Sequence, residues 1–222
     1  MKWSSLSIFM LLFSLSAFSQ VSDAGLWTGV SVDKEIADDL KADLEMETRF
    51  YENISELESA FFDLSLEYKL TKFLDVSVDY RFGNKKELND TYLLRQRVAG
   101  NIYLDADWRD LEFVYRLRLQ RNLEGIRRDE AGIEFSSAVR HKFSVTLDLP
   151  DRYEIETEYE IFTGRTDQNR FDQTDWRVKA EIKKGITKDD NISLGYLIQR
   201  QVNENNPLME FIFLISYSYE LD

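Results

Sequence analysis

The chain has 222 residues, no Cys and 2 Pro, is 43% hydrophobic, 31% charged and 14% aromatic, and carries a formal net charge of −13. So much charge excludes a bundle of helical membrane spans, and so many aromatics exclude disorder. The absence of Cys excludes a disulfide framework, and the excess of acid argues against nucleic acid as a partner, because phosphate binding relies on clustered Lys and Arg.

The N-terminus reads as a secretory signal peptide, residues 1–19. Lys2 is its positive region and Ile8 to Phe18 its short apolar stretch. Ala17-Phe18-Ser19 supplies the small-x-small rule for cleavage before Gln20. The stretch falls short of the roughly 20 residues a spanning helix needs. Removing Lys2 with it takes the net charge from −13 to −14. Residues 20–222 read as one domain, and no segment in them is apolar enough for a transmembrane helix. If this domain enters a membrane it must do so as strands, closed on themselves so that every backbone group is hydrogen-bonded.

Period-two alternation runs almost to the C-terminus. A weaker strand, Leu26 to Glu35, comes first. Leu40, Ala42, Leu44, Met46 and Phe50 then alternate with Lys41, Asp43, Glu45, Glu47 and Arg49. A strand puts these two sets on opposite faces, whereas a helix scatters both. The pattern repeats over 62–70, over 74–82 after a tight turn at Thr71-Lys72, and over 91–104 and 111–121. A run over 131–149 keeps one phase throughout. Residues 153–162 set Tyr153, Ile155, Tyr159 and Ile161 against Glu154, Glu156, Glu158 and Glu160. Strands at 175–184, 191–201 and 208–221 complete the series. Short turns alternate with longer loops at Gly83 to Asp90, Arg121 to Asp129, Thr163 to Thr174 and Val202 to Pro207, the habit of barrels with tight turns at one end and larger loops at the other.

The expected fold is therefore all-β, an antiparallel up-and-down transmembrane β-barrel of ten to twelve strands. Eleven segments are countable, but bacterial single-chain barrels have even numbers. Leaving Leu26 to Glu35 outside the ladder gives ten. Breaking the 19-residue run 131–149 near Arg140-His141 gives twelve, the preferred count, because about 9–11 residues cross a membrane.

Alternation does not say which face points inward. A secreted lipocalin-like barrel that binds an apolar ligand has the same period with the apolar face inside. The membrane reading is favoured by strand number and by aromatics near segment ends, where girdles would lie: Tyr51, Tyr68, Phe82, Tyr92, Tyr103, Tyr153, Phe162, Trp176, Tyr217 and Tyr219. It is favoured too by an apolar face that persists through the last strand. That strand resembles the outer-membrane assembly signal of Gram-negative bacteria, but ends Glu220-Leu221-Asp222 where the signal usually ends in an aromatic. Outer-membrane lipid and the assembly machinery are the expected partners.

With the charged face inward, the lumen sorts by sign. Residues 40–82 are mostly acidic there. Arg95, Arg97, Arg116, Arg118, Arg140 and Lys142 then form a basic wall that also holds Glu112 and Glu134. The ladder Glu154, Glu156, Glu158 and Glu160 follows, flanked by Arg177, Lys179 and Lys183. Two readings of these charges stand: a salt-bridge network that fills a narrow interior, or a small-solute path whose transverse field selects charged solutes. Strand number favours the narrow lumen, because eight strands leave room only for side chains and 16–18 leave a channel.

No catalytic constellation stands out and no enzymatic activity is expected; the least favoured reading, an outer-membrane lipid hydrolase, needs a His and a Ser within reach on one strand face. The single His, His141, is three residues from Ser144, which puts them on opposite faces; Ser137 shares its face at about 13 Å along the strand. With one His and no Cys, zinc is not expected. The acids Asp167, Asp172 and Asp175, or Asp189-Asp190-Asn191, could offer oxygen ligands to Ca²⁺ but lack EF-hand spacing. No cofactor is expected.

The segments "LWTGVSVDKEI" from Leu26, "ETRF" from Glu47, "YRF" from Tyr80, and "VRHKFSVTLDLP" with "EYEIF", together with the "AFSQ" junction, resemble an uncharacterised family of outer-membrane barrels from Bacteroidetes-type bacteria. The resemblance implies a barrel and a location, and no activity.

Overall fold

The computed structural model describes residues 22–87, 89–123, 127–129, 132–134, 137–165, 171–203 and 207–221. The signal-peptide segment and Asp167 lie outside them. The strands are β1 (Ser22–Ala37), β2 (Leu40–Tyr51), β3 (Glu56–Thr71), β4 (Leu74–Lys86), β5 (Tyr92–Trp108), β6 (Leu111–Asn122), β7 (Arg127–Asp129), β8 (Gly132–Glu134), β9 (Ser137–Leu149), β10 (Tyr153–Arg165), β11 (Phe171–Gly185), β12 (Asp190–Gln201) and β13 (Met209–Leu221). Eleven of them close a barrel in chain order, with β13 paired back onto β1; β7 and β8 form a separate two-stranded hairpin between β6 and β9.

The expected twelve strands are thus eleven. Leu26 to Glu35 belongs to the ladder, inside β1. The run 131–149 does break, but ahead of Ser137 and not at Arg140-His141, both of which lie inside β9. Its front part, including Glu134, joins the hairpin and not the barrel wall. An odd count has a geometric consequence. Antiparallel neighbours reverse direction at each step, so the eleventh strand runs the same way as the first. The closing seam is accordingly parallel, from Ser22↔Met209 to Lys34↔Leu221. Ser22 therefore lies at the long-loop end and Leu221 at the short-turn end. The other ten seams are antiparallel.

The tight turns fall at Asp38-Asp39, Lys72-Phe73 and Arg109-Asp110, with a 3-10 turn at Pro150–Arg152 and a bend over 186–189. The β3–β4 turn sits one residue later than expected. Asp39, Arg109 and Asp151 adopt positive φ (61°, 59° and 61°); Asp tolerates this region because its short side chain bonds locally. The longer loops are shorter than their polarity suggests: β4 continues through Gly83 to Lys86, and β10 and β11 extend to Arg165 and from Phe171. Cross-strand pairing on an already formed barrel outweighs weak strand propensity there.

The alternation resolves into an apolar outer face and a charged inner one. Thirty-eight large hydrophobic side chains are exposed, Val78 reaching 67%, and among the described residues only Phe61, Ala99, Leu197 and Ile212 form a buried hydrophobic set. The interior is polar: Ser59, Ser77, Asp79, Asn101, Asn122, Arg140, Ser144, Glu160 and Ser193 are buried.

Candidate functional site: a charged, partitioned lumen

Among the described residues the lumen is not filled by its side chains. It holds a main cavity of about 680 Å³ and a small one of about 90 Å³ nearer the long loops. Arg49, Arg81 and Arg97 line both, so the layer they occupy lies between the two.

That layer is an alternating chain of guanidinium groups and rings. Arg81 stacks on Phe61 (3.5 Å to the ring centroid), and Arg49 stacks on Phe61 (4.8 Å) and on Trp27 (3.7 Å). Arg177 then lies over Trp27 (5.3 Å) and Phe162 (4.6 Å), and Arg140 over Phe162 (4.3 Å). Such contacts contribute roughly 0.5–2 kcal/mol each, more when shielded from water. Trp27 and Arg177 belong to β1 and β11, which are separated by β12 and β13, so this part of the chain bridges the lumen. Phe162 and Tyr103 were expected in an outer girdle, but both line the main cavity. Tyr51 also turns inward, beside Glu56 and Lys86. The reason is parity: Phe162 continues the even phase of the Glu ladder, Tyr103 the odd phase of Arg97, and Tyr51 the odd phase of Arg49. Tyr68, Tyr92, Tyr153, Tyr217 and Tyr219 are exposed.

Below the layer, β9, β10 and β11 hold a compact ion cluster. Glu160, only 2% exposed, accepts hydrogen bonds from Arg140 (Nε to Oε1 2.9 Å, Nη2 to Oε2 2.7 Å) and from Arg116 Nη2 (2.6 Å), with Arg177 at 3.7 Å. Register sets part of the convergence: Glu160 faces Arg177 directly on β11, Arg140 lies two residues from its β9 partner Lys142, and Arg116 on β6 faces that same Lys142. Glu158 pairs with Lys142 (2.5 Å) and Lys179 (3.4 Å), and Lys179 also reaches Glu156 (3.0 Å) and Glu181 (2.8 Å). A second cluster centres on Asp79, which binds Arg118, Ser65 (2.9 Å), Ser77 (2.9 Å) and Asn101 (2.8 Å).

Of the expected lumen residues, Arg97, Arg116, Arg118, Arg140, Lys142, Glu158, Glu160, Arg177 and Lys179 converge on the main cavity. Arg95 lines the small cavity instead and pairs with Glu87. Glu154 pairs with Lys183 (3.1 Å), and Glu156 with Lys179; neither lines the cavities. Sequence reasoning missed Trp27 and Phe61. Trp27 shares the odd phase of Asp33 on β1. Phe61 stands beside Phe62, where only one of two adjacent aromatics can face out.

The walls do not alternate in sign as a self-satisfying network would. Like charges are direct cross-strand partners at Asp33↔Asp43, Glu45↔Asp63, Arg81↔Arg97, Arg118↔Arg140 and Arg116↔Lys142, an arrangement that disfavours pairing. Acid concentrates on β1–β4 and base on β5–β9.

Elsewhere, His141 hydrogen-bonds Tyr115 (Nδ1 to Oη, 2.8 Å), whereas Ser144 is buried on the inward phase of β9. At the short-turn end, Asp190 accepts from the Thr187 hydroxyl, from Thr187 N (2.7 Å) and from Tyr217 (3.2 Å). These bonds, the Thr187 hydroxyl first, hold its carboxyl below the usual range.

A closed barrel with an apolar exterior and a partitioned, sign-segregated lumen is the class these features define. The chain belongs to the family described as "Protein of unknown function (DUF2490)", whose model matches residues 24–210. No curated protein matches it.

Proposed function

We propose that this chain is an outer-membrane β-barrel whose charged lumen holds small solutes or passes them only narrowly. The observation that carries this reading is the exterior, where thirty-eight large hydrophobic side chains are exposed against four buried hydrophobic residues among the described residues. A soluble monomer rarely exposes contiguous apolar patches beyond a few hundred Å², whereas lipid is the matching solvent for such a surface. The barrel strands run from 12 to 17 residues, longer than the roughly 9–11 that cross a bilayer, so their ends project beyond it. The partners on this reading are outer-membrane lipid and the assembly machinery, which would meet the aromatic row of β13. The polar cavity walls weigh against the alternative of a secreted barrel with an apolar ligand.

Cell fractionation with boiled and unboiled gel samples tests the proposal. The expected result is recovery in the detergent-extracted outer membrane and a heat-dependent shift in migration; release with the periplasm or medium would overturn it.

A further inference from the structure

One row of directly paired inward positions runs Glu45↔Asp63↔Arg81↔Arg97 across β2, β3, β4 and β5. Its two middle members, Asp63 and Arg81, form an ion pair. Its ends are opposite in sign, and neither the Glu45 nor the Arg97 side chain has a hydrogen bond or ion pair among the described residues. Both line the main cavity. Asp43, one step along β2 from Glu45, is likewise without an ion pair there. Charges left inside a barrel without partners are costly, and Arg97 additionally faces Arg81 across the seam. The cavity as a whole is balanced, with ten acidic and ten basic residues in its lining. A free cation or anion would disturb that balance, whereas a ligand with one charge of each sign preserves it and satisfies both ends of the row. The volume, about 680 Å³, lies within the roughly 300–1,000 Å³ typical of small-molecule sites.

We propose that the main cavity binds a small zwitterion, its carboxylate on Arg97 and its ammonium on Glu45 and Asp43. The span limits its size. Three strand spacings of about 4.8 Å separate Glu45 and Arg97 by about 14 Å along the wall. Side chains that project inward from a closed wall converge, so with an ion-pair contact of about 3 Å at each end the ligand charges lie at most about 8 Å apart. An extended peptide covers about 3.3–3.6 Å per residue, so the upper limit is a dipeptide or tripeptide, or a linear zwitterion of that length. The inference rests on the charged lumen and not on where the barrel resides.

The test is calorimetric titration of the purified, folded full-length barrel with triglycine and with 6-aminohexanoate, and intrinsic tryptophan fluorescence, to which Trp27 at the cavity edge contributes, gives a second readout. Saturable binding is expected. N-acetylation or C-terminal amidation of triglycine should each weaken it by at least about tenfold, the value of one charge-assisted contact. Glu45→Gln should lessen the penalty of N-acetylation, Asp43 keeping its share, and Arg97→Gln should make binding indifferent to amidation. Binding of both probes supports recognition by charge span alone; binding of triglycine only supports an added role for its backbone. No saturable binding of either probe by the wild-type barrel, or unchanged binding in both variants, overturns the proposal. Glu45 and Arg97 have no ion pairs to lose, so both variants should fold, and a heat-shifted gel band checks this. Fractionation reads localisation separately, so either proposal can fail alone.

Discussion

Two parts of the same lumen treat charge in opposite ways. Around Glu160, three guanidinium groups converge on one carboxylate and nearly every charge has a partner. Along the Glu45–Arg97 row, the outer members are left without one, and like charges face each other across seams. The first arrangement holds strands β9–β11 and β6 together. The second gives up pairing energy, and its surplus charges point into a cavity large enough for a ligand. Interior charge alone therefore does not mark a binding site; unpartnered charge of both signs does.

The comparison breaks most directly at Glu160. Glu160→Ala removes the shared partner of Arg116, Arg140 and Arg177 and is expected to destabilise the barrel by about 3–5 kcal/mol, the usual effect of leaving buried charges uncompensated. Urea unfolding in lipid vesicles measures this; a loss below about 1 kcal/mol would show that lumen water solvates the cluster and that the contrast drawn above is false.

Next comes Gly83, directly opposite Phe61 in the β3–β4 pairing. A Cβ at this position would collide with the Ala60 carbonyl oxygen and with the Cα and Cβ of Phe61. Gly83→Ala is expected to cost about 1–3 kcal/mol through that overpacking and to shift the ring that Arg49 and Arg81 stack upon. An unchanged melting profile would show that the stacked layer is loosely held.

The layer itself can be opened. In planar bilayers the native barrel should be nearly silent, and the double variant Trp27→Ala, Phe61→Ala should show discrete conductance steps. Steps of equal size in both proteins would mean that the layer does not partition the lumen.

The smallest effect is expected in the second region. Arg97→Gln relieves the repulsion with Arg81 and should leave stability unchanged or raise it by about 0.2–1 kcal/mol. A clear loss of stability would assign Arg97 a structural partner and place it with the Glu160 region.

Most of the barrel was legible in the amino-acid order because strand periodicity is local. Alternation from Leu40 onward located ten of the eleven wall strands, and the charged phase identified nine residues that line the main cavity. What failed was non-local. The eleven segments were countable, and twelve was preferred only because bacterial barrels usually have even numbers; residues 132–134 leave the run for a hairpin without adding a wall strand. Phe162 and Tyr103 were misplaced because position near a segment end was given more weight than phase.

The order of residues by itself determined the two faces, the tight turns and the supply of charges, since each follows from neighbours two or a few positions apart. Only the tertiary structure decided the parallel seam, which charges meet, and that Trp27, Phe61 and Phe162 join four arginines in one layer. Those outcomes depend on register between strands distant in sequence, where a shift of one residue reverses every side chain.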